Sequence, residues 1–369
     1  MSDRTRFVFL HSSDELYGAD RMLLEMVGAL PEHTEAEVWL PTDLAHPERP
    51  LCVELERRGA AVRHLDLPIM RRAYQNPMGL VRLAVRSARL FRALRRGAPD
   101  VVYCTTSATF LGAPLARIAR VPAVIGHLQE IWSKTDRQVL RGPALACHRL
   151  LAISEAVVAS VPGRIALRTV VVPNGTPEPP RLVPIETHQG RLQFVVASRW
   201  NAWKGHRTLL AAWDRAKPAG HLTVLGGRPP SGEWVDVPGL VSALRDPSSV
   251  SVVGEVSDPS VYLEEADVVL MPSDEPEPFG LVAIEAFARG RPVVASAGGG
   301  LVDVVTDQVD GWLYPPGDVA ALAAILGRLS RTEVTEAGHQ ARETYKSRFN
   351  TERFALSWRA ATFGERSTG

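Results

Sequence analysis

Short apolar runs, each followed by a longer amphipathic stretch, repeat along most of this chain. The runs Arg6–Leu10, Glu37–Leu40, Val62–Leu65, Val101–Tyr103, Val121–Ile125, Leu150–Ile153 and Thr169–Val172 read as strands. Helical patterns fall between them, at Ala19–Leu30, Leu51–Arg58, Leu80–Arg95 and Ala144–His148. The rhythm breaks between Pro173 and Gly190, a stretch rich in Pro and Thr that reads as a linker. It restarts with Leu192–Ala197, Leu222–Leu225, Val250–Val253, Val268–Met271 and Val293–Ala295. Strands alternating with helices predict parallel sheets and an α/β class. The expectation is two doubly wound, Rossmann-like domains facing a central cleft, with boundaries at 1–176 and 177–346.

Bulk composition agrees with two domains. A chain of 369 residues is long for a single core, and 45% apolar with 22% charged residues is a globular balance. No apolar run approaches the length of a bilayer span. Near the start only Phe7–Leu10 is apolar, too short for a secretory signal, so a cytoplasmic protein is expected. Cys52, Cys104 and Cys147 are odd in number and widely spaced, which predicts reduced, mostly buried thiols. The net charge of +1 hides a mild asymmetry: residues 1–180 carry 23 Lys and Arg against 18 Asp and Glu, the remainder 19 against 23. No basic stripe interleaved with stacking aromatics appears, so nucleic acid is not an expected partner.

Candidate chemistry concentrates between Ser273 and Ala295. A strand, Val268–Met271, runs into a loop holding Glu277 and then a helix holding Glu285, with seven residues between the two acids. Gly290 and Pro292 end that helix before the next strand. Acids are thereby placed where a parallel sheet presents ligands, next to a helix N-terminus. Carboxylates suit sugar hydroxyls and the helix end suits a phosphate, so a nucleotide sugar answers both. Two Glu on an isolated helix would ordinarily be solvated surface residues; here the context argues otherwise.

The residues Glu277-Pro278-Phe279-Gly280-Leu281-Val282, Glu285-Ala286 and Gly290-Arg291-Pro292-Val293-Val294-Ala295 closely resemble the signature of the retaining GT-B glycosyltransferases of family 4. Ala197-Ser198-Arg199-Trp200, Lys204-Gly205, Val172-Pro173-Asn174-Gly175, Ala152-Ile153-Ser154-Glu155, Gly298-Gly299-Gly300 and Gly311–Asp318 extend the likeness in order. In the first half it is thinner. The resemblance implies a GT-B fold whose C-terminal domain binds the donor and whose N-terminal domain binds the acceptor. It also implies a last helix, within residues 347–369, packing back on the first domain. Glu277 would hold the hydroxyls of the transferred sugar and Glu285 those of the ribose. Arg199 and Lys204 would contact the diphosphate, with Phe279, Gly280, Leu281 and Val282 lining the donor site.

A departing diphosphate needs positive charge, from a metal or from fixed cations and helix amides. No Asp-x-Asp motif occurs in the chain, so no metal or other cofactor is expected, and Arg199, Lys204 and the amides of Gly280–Val282 are the natural substitute. In the first half, Tyr17-Gly18-Ala19-Asp20 follows the first strand, and Gly18 either lets backbone approach the donor or merely caps a helix. It lacks the Gly-x-Gly-x-x-Gly of a dehydrogenase. His127, at a strand end in Gly-His-Leu-Gln-Glu-Ile-Trp, resembles the histidine that related enzymes place near the transferred sugar. Some relatives carry a histidine where Gln129 stands, and Glu130 is a candidate acceptor contact.

These readings converge on a retaining, metal-independent transfer from a UDP- or GDP-type sugar to a hydroxyl on a sugar, lipid-linked or small-molecule acceptor. The expected setting is a cell-surface polysaccharide, glycolipid or glycosylated metabolite. A nucleotide-sugar epimerase of the same fold and a non-catalytic nucleotide-sugar-binding subunit are the alternatives. One stretch adds a partner. Along Leu80–Arg96, the apolar Leu80, Leu83, Ala84, Leu90, Phe91 and Leu94 oppose Arg82, Arg86, Arg89 and Arg96. Such a helix docks peripherally on an anionic inner membrane face, or buries its apolar side on its own sheet, the commoner outcome.

Overall fold

The computed structural model describes residues 4–43, 48–71, 76–229 and 232–364. These divide into two compact units. One comprises the chain up to Asn174 together with the stretch from Phe354 onward; the other is Gly175–Arg353.

The first unit holds a seven-stranded sheet: β1 (Thr5–Leu10), β2 (Thr34–Pro41), β3 (Ala61–Leu65), β4 (Val101–Cys104), β5 (Ala123–Leu128), β6 (Arg149–Ala152) and β7 (Thr169–Val171). The strand order is β3-β2-β1-β4-β5-β6-β7, and every pairing is parallel. The second unit has six strands: β8 (Leu192–Ala197), β9 (Gly220–Leu225), β10 (Val250–Gly254), β11 (Val268–Met271), β12 (Val293–Ser296) and β13 (Gly311–Tyr314). Their order is β10-β9-β8-β11-β12-β13, again all parallel. Strands buried on both faces explain the unbroken apolar runs: β4, β11 and β12 are buried at every residue. Each sheet reverses its order once, between β1 and β4 and between β8 and β11.

The core of the first unit is closed by the end of the chain. Trp358 is fully buried against Phe7, Phe9 and Tyr103, and its Nε1–H donates to Tyr103 Oη at 2.9 Å. The helix that carries it, Thr351–Phe363, starts later than the sequence suggests, because a π-helical turn at Tyr345–Phe349 and Asn350 intervene. In the second unit Phe194, Trp213, Leu222, Leu270, Trp312 and Leu326 belong to one apolar cluster. Arg291, buried there, donates to the carbonyls of Val183, Glu264 and Arg289, tying the linker to the sheet. Burial holds its pKa down to about 10.

Three details differ from the sequence pattern. The helix expected at Ala144–His148 is Lys134–Leu145, started by a reciprocal Ser133–Asp136 cap. His148 instead follows it, its Nδ1 accepting the Val124 amide. Gly311–Tyr314, read only as part of a motif, forms the edge strand β13. The third concerns the Arg-rich helix, which runs Pro77–Gly97. Leu90 and Leu94 are buried as expected, but Leu80 is 61% exposed and Ala84 is exposed too. The helix has 21 residues, about 31 Å, and its large buried side chains, Leu90 and Leu94, lie in its second half. All three cysteines are buried and unpaired.

Candidate functional site

Where a parallel sheet reverses its order, the loops leaving the two strands diverge and open a crevice beyond their carboxyl ends. In the second unit that point lies between β8 and β11. The loop after β8 carries Arg199 and Lys204; the loop after β11 carries Ser273–Gly280. Beyond the strand ends these two loops touch again at Gly205 and Trp203. Gly205 has a φ of +72°, and a Cβ there would lie 1.7 Å from the Pro272 carbonyl oxygen, so only glycine fits. The Asp274 amide donates to the Trp203 carbonyl at 2.8 Å, and Thr208 Oγ1 donates to the Asp274 carboxylate at 2.8 Å.

This packing brings two of the candidates into direct contact. Lys204 Nζ lies 4.1 Å from the centre of the Trp203 ring and donates to Glu277 Oε1 at 2.6 Å. Ser273 Oγ donates to the same oxygen at 2.5 Å. Ser273 and Glu277 are buried, and Lys204 is partly so. Behind Glu277 stands the Gly298-Gly299-Gly300 segment. Gly299 has a φ of +67°, a Cβ on it would sit 2.0 Å from the Glu277 carbonyl oxygen, and the Gly300 amide donates to that oxygen at 2.7 Å. The loop that presents the acid is therefore shaped by close backbone contact.

Gly280 caps the helix Leu281–Ala288, with Phe279 buried edge-on to Phe349. The first amides of a helix have no intrahelical acceptor and carry its positive end. Leu281 and Val282, half-buried, supply them. Glu285, also half-buried, sits on the same helix beyond its first turn. Arg199 is half-buried, immediately after Ser198 at the end of β8. The crevice edge thus combines a lysine, an arginine, helix amides and two carboxylates. One residue of this neighbourhood had no motif to announce it. His206 opens the helix that follows Lys204 and is buried, and burial and then the Lys204 charge push its pKa down to about 4. Its ring is neutral, so it adds no second cation beside Lys204. Among the described residues, no group of three or more His, Cys, Asp or Glu is arranged to hold a metal ion.

The first unit's reversal, between β1 and β4, is arranged differently. His11 follows β1 fully buried, one ring nitrogen 2.7 Å from Thr105 Oγ1 and the other 2.7 Å from Asp20 Oδ1. Asp20 also accepts from Ser13 Oγ and the Tyr17 amide. Burial raises the Asp20 pKa, but the His11 hydrogen bond and charge, with the hydrogen bonds from Ser13 and the Tyr17 amide, together leave the net shift downward. Gly18 is the first residue of the helix Gly18–Gly28 and is not in left-handed backbone, so it acts there as a helix start.

His127 lies inside β5 with no exposed surface, and its Nδ1 is 3.0 Å from Tyr103 Oη. The same Tyr103 oxygen accepts from Trp358 Nε1–H, so the three rings form one buried chain that leaves His127 Nε2 at its far end. That Nε2 is buried without a partner among the described residues, and burial pushes the pKa down to about 3. Gln129 donates to the Thr105 carbonyl, and Glu130 Oε2 accepts the Ser107 amide at 3.1 Å. Burial raises the Glu130 pKa despite the hydrogen bonds from Ser107. The fold thus joins Lys204 to Glu277, places Arg199, Phe279–Val282 and Glu285 at the same reversal, and sets Gly18, His127 and Glu130 in the other unit.

Comparison with known proteins bears on this arrangement. Residues 191–332 match the family Glycosyl transferases group 1. A D-inositol 3-phosphate glycosyltransferase of Xylanimonas cellulosilytica is 36% identical over 171 residues, 46% of this chain and 40% of that protein. The amylovoran biosynthesis glycosyltransferase AmsK of Erwinia amylovora is 46% identical over 77 residues, 20% of this chain and 19% of that one. Both matches span less than half of the relative's own length. Among solved structures, Anabaena HepE in complex with UDP superposes with a TM-score of 0.79 at 22% identity, over 96% of this chain and 98% of that one. Sucrose-phosphate synthase from Thermosynechococcus elongatus does so with 0.74 at 21% identity, over 96% and 97%. With the two parallel sheets, these likenesses show the GT-B fold.

Proposed function

We propose that this chain is a retaining, metal-independent glycosyltransferase of family 4 that moves a sugar from a UDP- or GDP-type nucleotide sugar to an acceptor hydroxyl. The observation that carries this reading is the Lys204–Glu277 contact at the β8/β11 reversal, beside the start of the helix Leu281–Ala288. It joins a group for the diphosphate to a group for the sugar at one point of the chain. In this reading Glu277 accepts hydrogen bonds from hydroxyls of the transferred sugar and Glu285 from those of the ribose. Arg199, Lys204 and the first helix amides neutralise the diphosphate as its bond to the sugar breaks, which is the work a metal would otherwise do. The acceptor oxygen enters on the face from which the diphosphate leaves, and a diphosphate oxygen takes the acceptor's proton. Residues 177–346 serve the donor and residues 1–176 the acceptor, with Glu130 as the acceptor contact. His127, expected beside the transferred sugar, is fully enclosed within β5, so in this reading it supports the strand that leads into Gln129 and Glu130.

Solved relatives of the fold include HepE bound to UDP and to UDP-glucose, which favours the uridine form of the donor. A thermal-shift screen of nucleotide sugars, followed by mass spectrometry of products with candidate acceptors, tests the proposal. Glycosylated product formed undiminished in EDTA supports it. Isomerised donor with no acceptor used would indicate an epimerase, and binding without turnover across a broad acceptor panel would indicate a binding subunit.

A second part of the reading concerns the membrane. No helix among the described residues is long and apolar enough to cross one. The helix Pro77–Gly97, however, leaves Met78, Leu80, Val81 and Val85 exposed and carries six Arg and no acid. Arg86 and Arg89 are engaged with Asp43 and Asp66, so the remaining basic positions and the exposed apolar residues would make the contact. Peripheral docking on an anionic surface suits that face. Co-sedimentation with vesicles containing phosphatidylserine, lost in Val81→Asp, is the expected outcome; equal sedimentation of the variant would remove this part.

A further inference from the structure

We propose that Ser273 is a positioning residue that commits one oxygen of the Glu277 carboxylate to the protein and leaves the other for the donor sugar. The inference rests on the donor-site reading above and adds a residue and a division of labour to it. An ionised carboxylate is acceptor-only, with about two acceptor positions on each oxygen. Both strong hydrogen bonds to Glu277 fall on Oε1, from Lys204 Nζ at 2.6 Å and from Ser273 Oγ at 2.5 Å. That oxygen is saturated. Among the described residues, no hydrogen bond engages Oε2, so the capacity to accept from a sugar hydroxyl lies there.

The two donors differ in kind. Lys204 swings on a flexible stem and is the group that must also serve a diphosphate, so by itself it fixes the carboxylate poorly. Ser273 is 1% exposed, two residues beyond β11, and its short side chain has few places to go. Its hydroxyl proton is directed at Oε1 because a carboxylate offers no proton in return. The closeness of Gly205 to Pro272 keeps the Lys204 turn against the strand end that bears Ser273, so both donors reach one oxygen from segments in backbone contact. When a diphosphate draws Lys204 away, Ser273 is the remaining hold on the orientation of Glu277. Loss of its hydroxyl therefore weakens recognition of the sugar and spares recognition of the diphosphate.

The test is calorimetric titration of UDP and UDP-glucose, with GDP and GDP-mannose in parallel, into wild type, Ser273→Ala and Ser273→Thr. For Ser273→Ala the expected result is a nucleoside diphosphate Kd within about twofold of wild type and a nucleotide-sugar Kd raised about tenfold, the worth of one hydrogen bond to a charged group. Ser273→Thr, which keeps the hydroxyl, should restore the wild-type ratio of the two constants. Equal weakening of both ligands, or no change in the ratio, overturns the positioning role while leaving the donor-site reading intact. If wild type binds neither pair, the donor reading falls and takes the sugar-orienting role with it. A ligand-free crystal structure of Ser273→Ala then decides the clamp itself: Glu277 turned away from its wild-type rotamer supports it, and an unmoved carboxylate overturns it.

Discussion

The two reversals of strand order are built on opposite plans. At β8/β11, the polar groups come from two short loops in mutual backbone contact, and a buried acid keeps one oxygen without a hydrogen bond from the described residues. At β1/β4, His11, Thr105, Asp20, Ser13 and the Tyr17 amide are joined to one another. Further along the same sheet, His127, Tyr103 and Trp358 form a second internal chain. Equivalent topology offers a ligand the same kind of crevice. Loop chemistry then determines whether the strand ends keep polar capacity in hand or use it to hold their own backbone.

The largest test of this contrast is Glu277→Gln. The amide oxygen still accepts from Lys204 and Ser273, so the unfolding temperature should move by no more than a few degrees. Sugar transfer should fall by about 10²–10³-fold, as when one preorganised contact to a transition state is lost. Retained turnover in a rate assay would dissolve the distinction between the two reversals.

Gly299→Ala comes next, expected to cost the second unit about 3 kcal/mol, since it adds left-handed strain to a clash with the Glu277 carbonyl. Scanning calorimetry that separates the two units should show one transition lowered and the other unmoved. Asp20→Asn should do the reverse, lowering the first unit's transition by about 2 kcal/mol, because both carboxylate oxygens of Asp20 accept hydrogen bonds and an amide can replace only one of them.

The smallest effect is the dependence on acid. His127 and His206 are held neutral in the fold by burial, with pKa values pushed down to about 3 and about 4. The unfolded chain takes up their protons at the usual imidazole pH, near 6.5. Their stabilisation is thus complete above that pH and is lost as pH falls toward the folded values. Each should cost about 1 kcal/mol between pH 7 and pH 5.5. Urea titrations of His127→Asn should show that increment missing from the first unit alone.

Much of the architecture can be read from the chain because buried parallel strands need continuous apolar runs, and β8 begins and ends where its run does. The edge strand β13 escaped because Gly311-Trp312-Leu313-Tyr314 is short and opens with glycine. On the donor side, Glu277, Phe279–Val282 and Glu285 stand within one loop and helix, so spacing alone brings them near each other. The Lys204–Glu277 contact spans 73 positions and Tyr103–Trp358 spans 255, distances at which no local pattern speaks. Ser273 opens the Ser273–Ala295 stretch without standing out, since a serine after a strand ordinarily signals a turn or cap. Periodicity puts Leu80 on the apolar face of its helix, but it cannot tell which turns of that face are covered.

The return of the chain to its first unit has a consequence for biogenesis. Tyr103, Phe7 and Phe9 meet Trp358 only after β1–β13 have been synthesised. On the ribosome, the N-terminal lobe must therefore wait with an unfilled aromatic slot while the C-terminal lobe is still being made. A stop codon after Arg353 would spare every residue of the later lobe and injure the earlier one, a polarity that limited proteolysis of nascent chains would reveal.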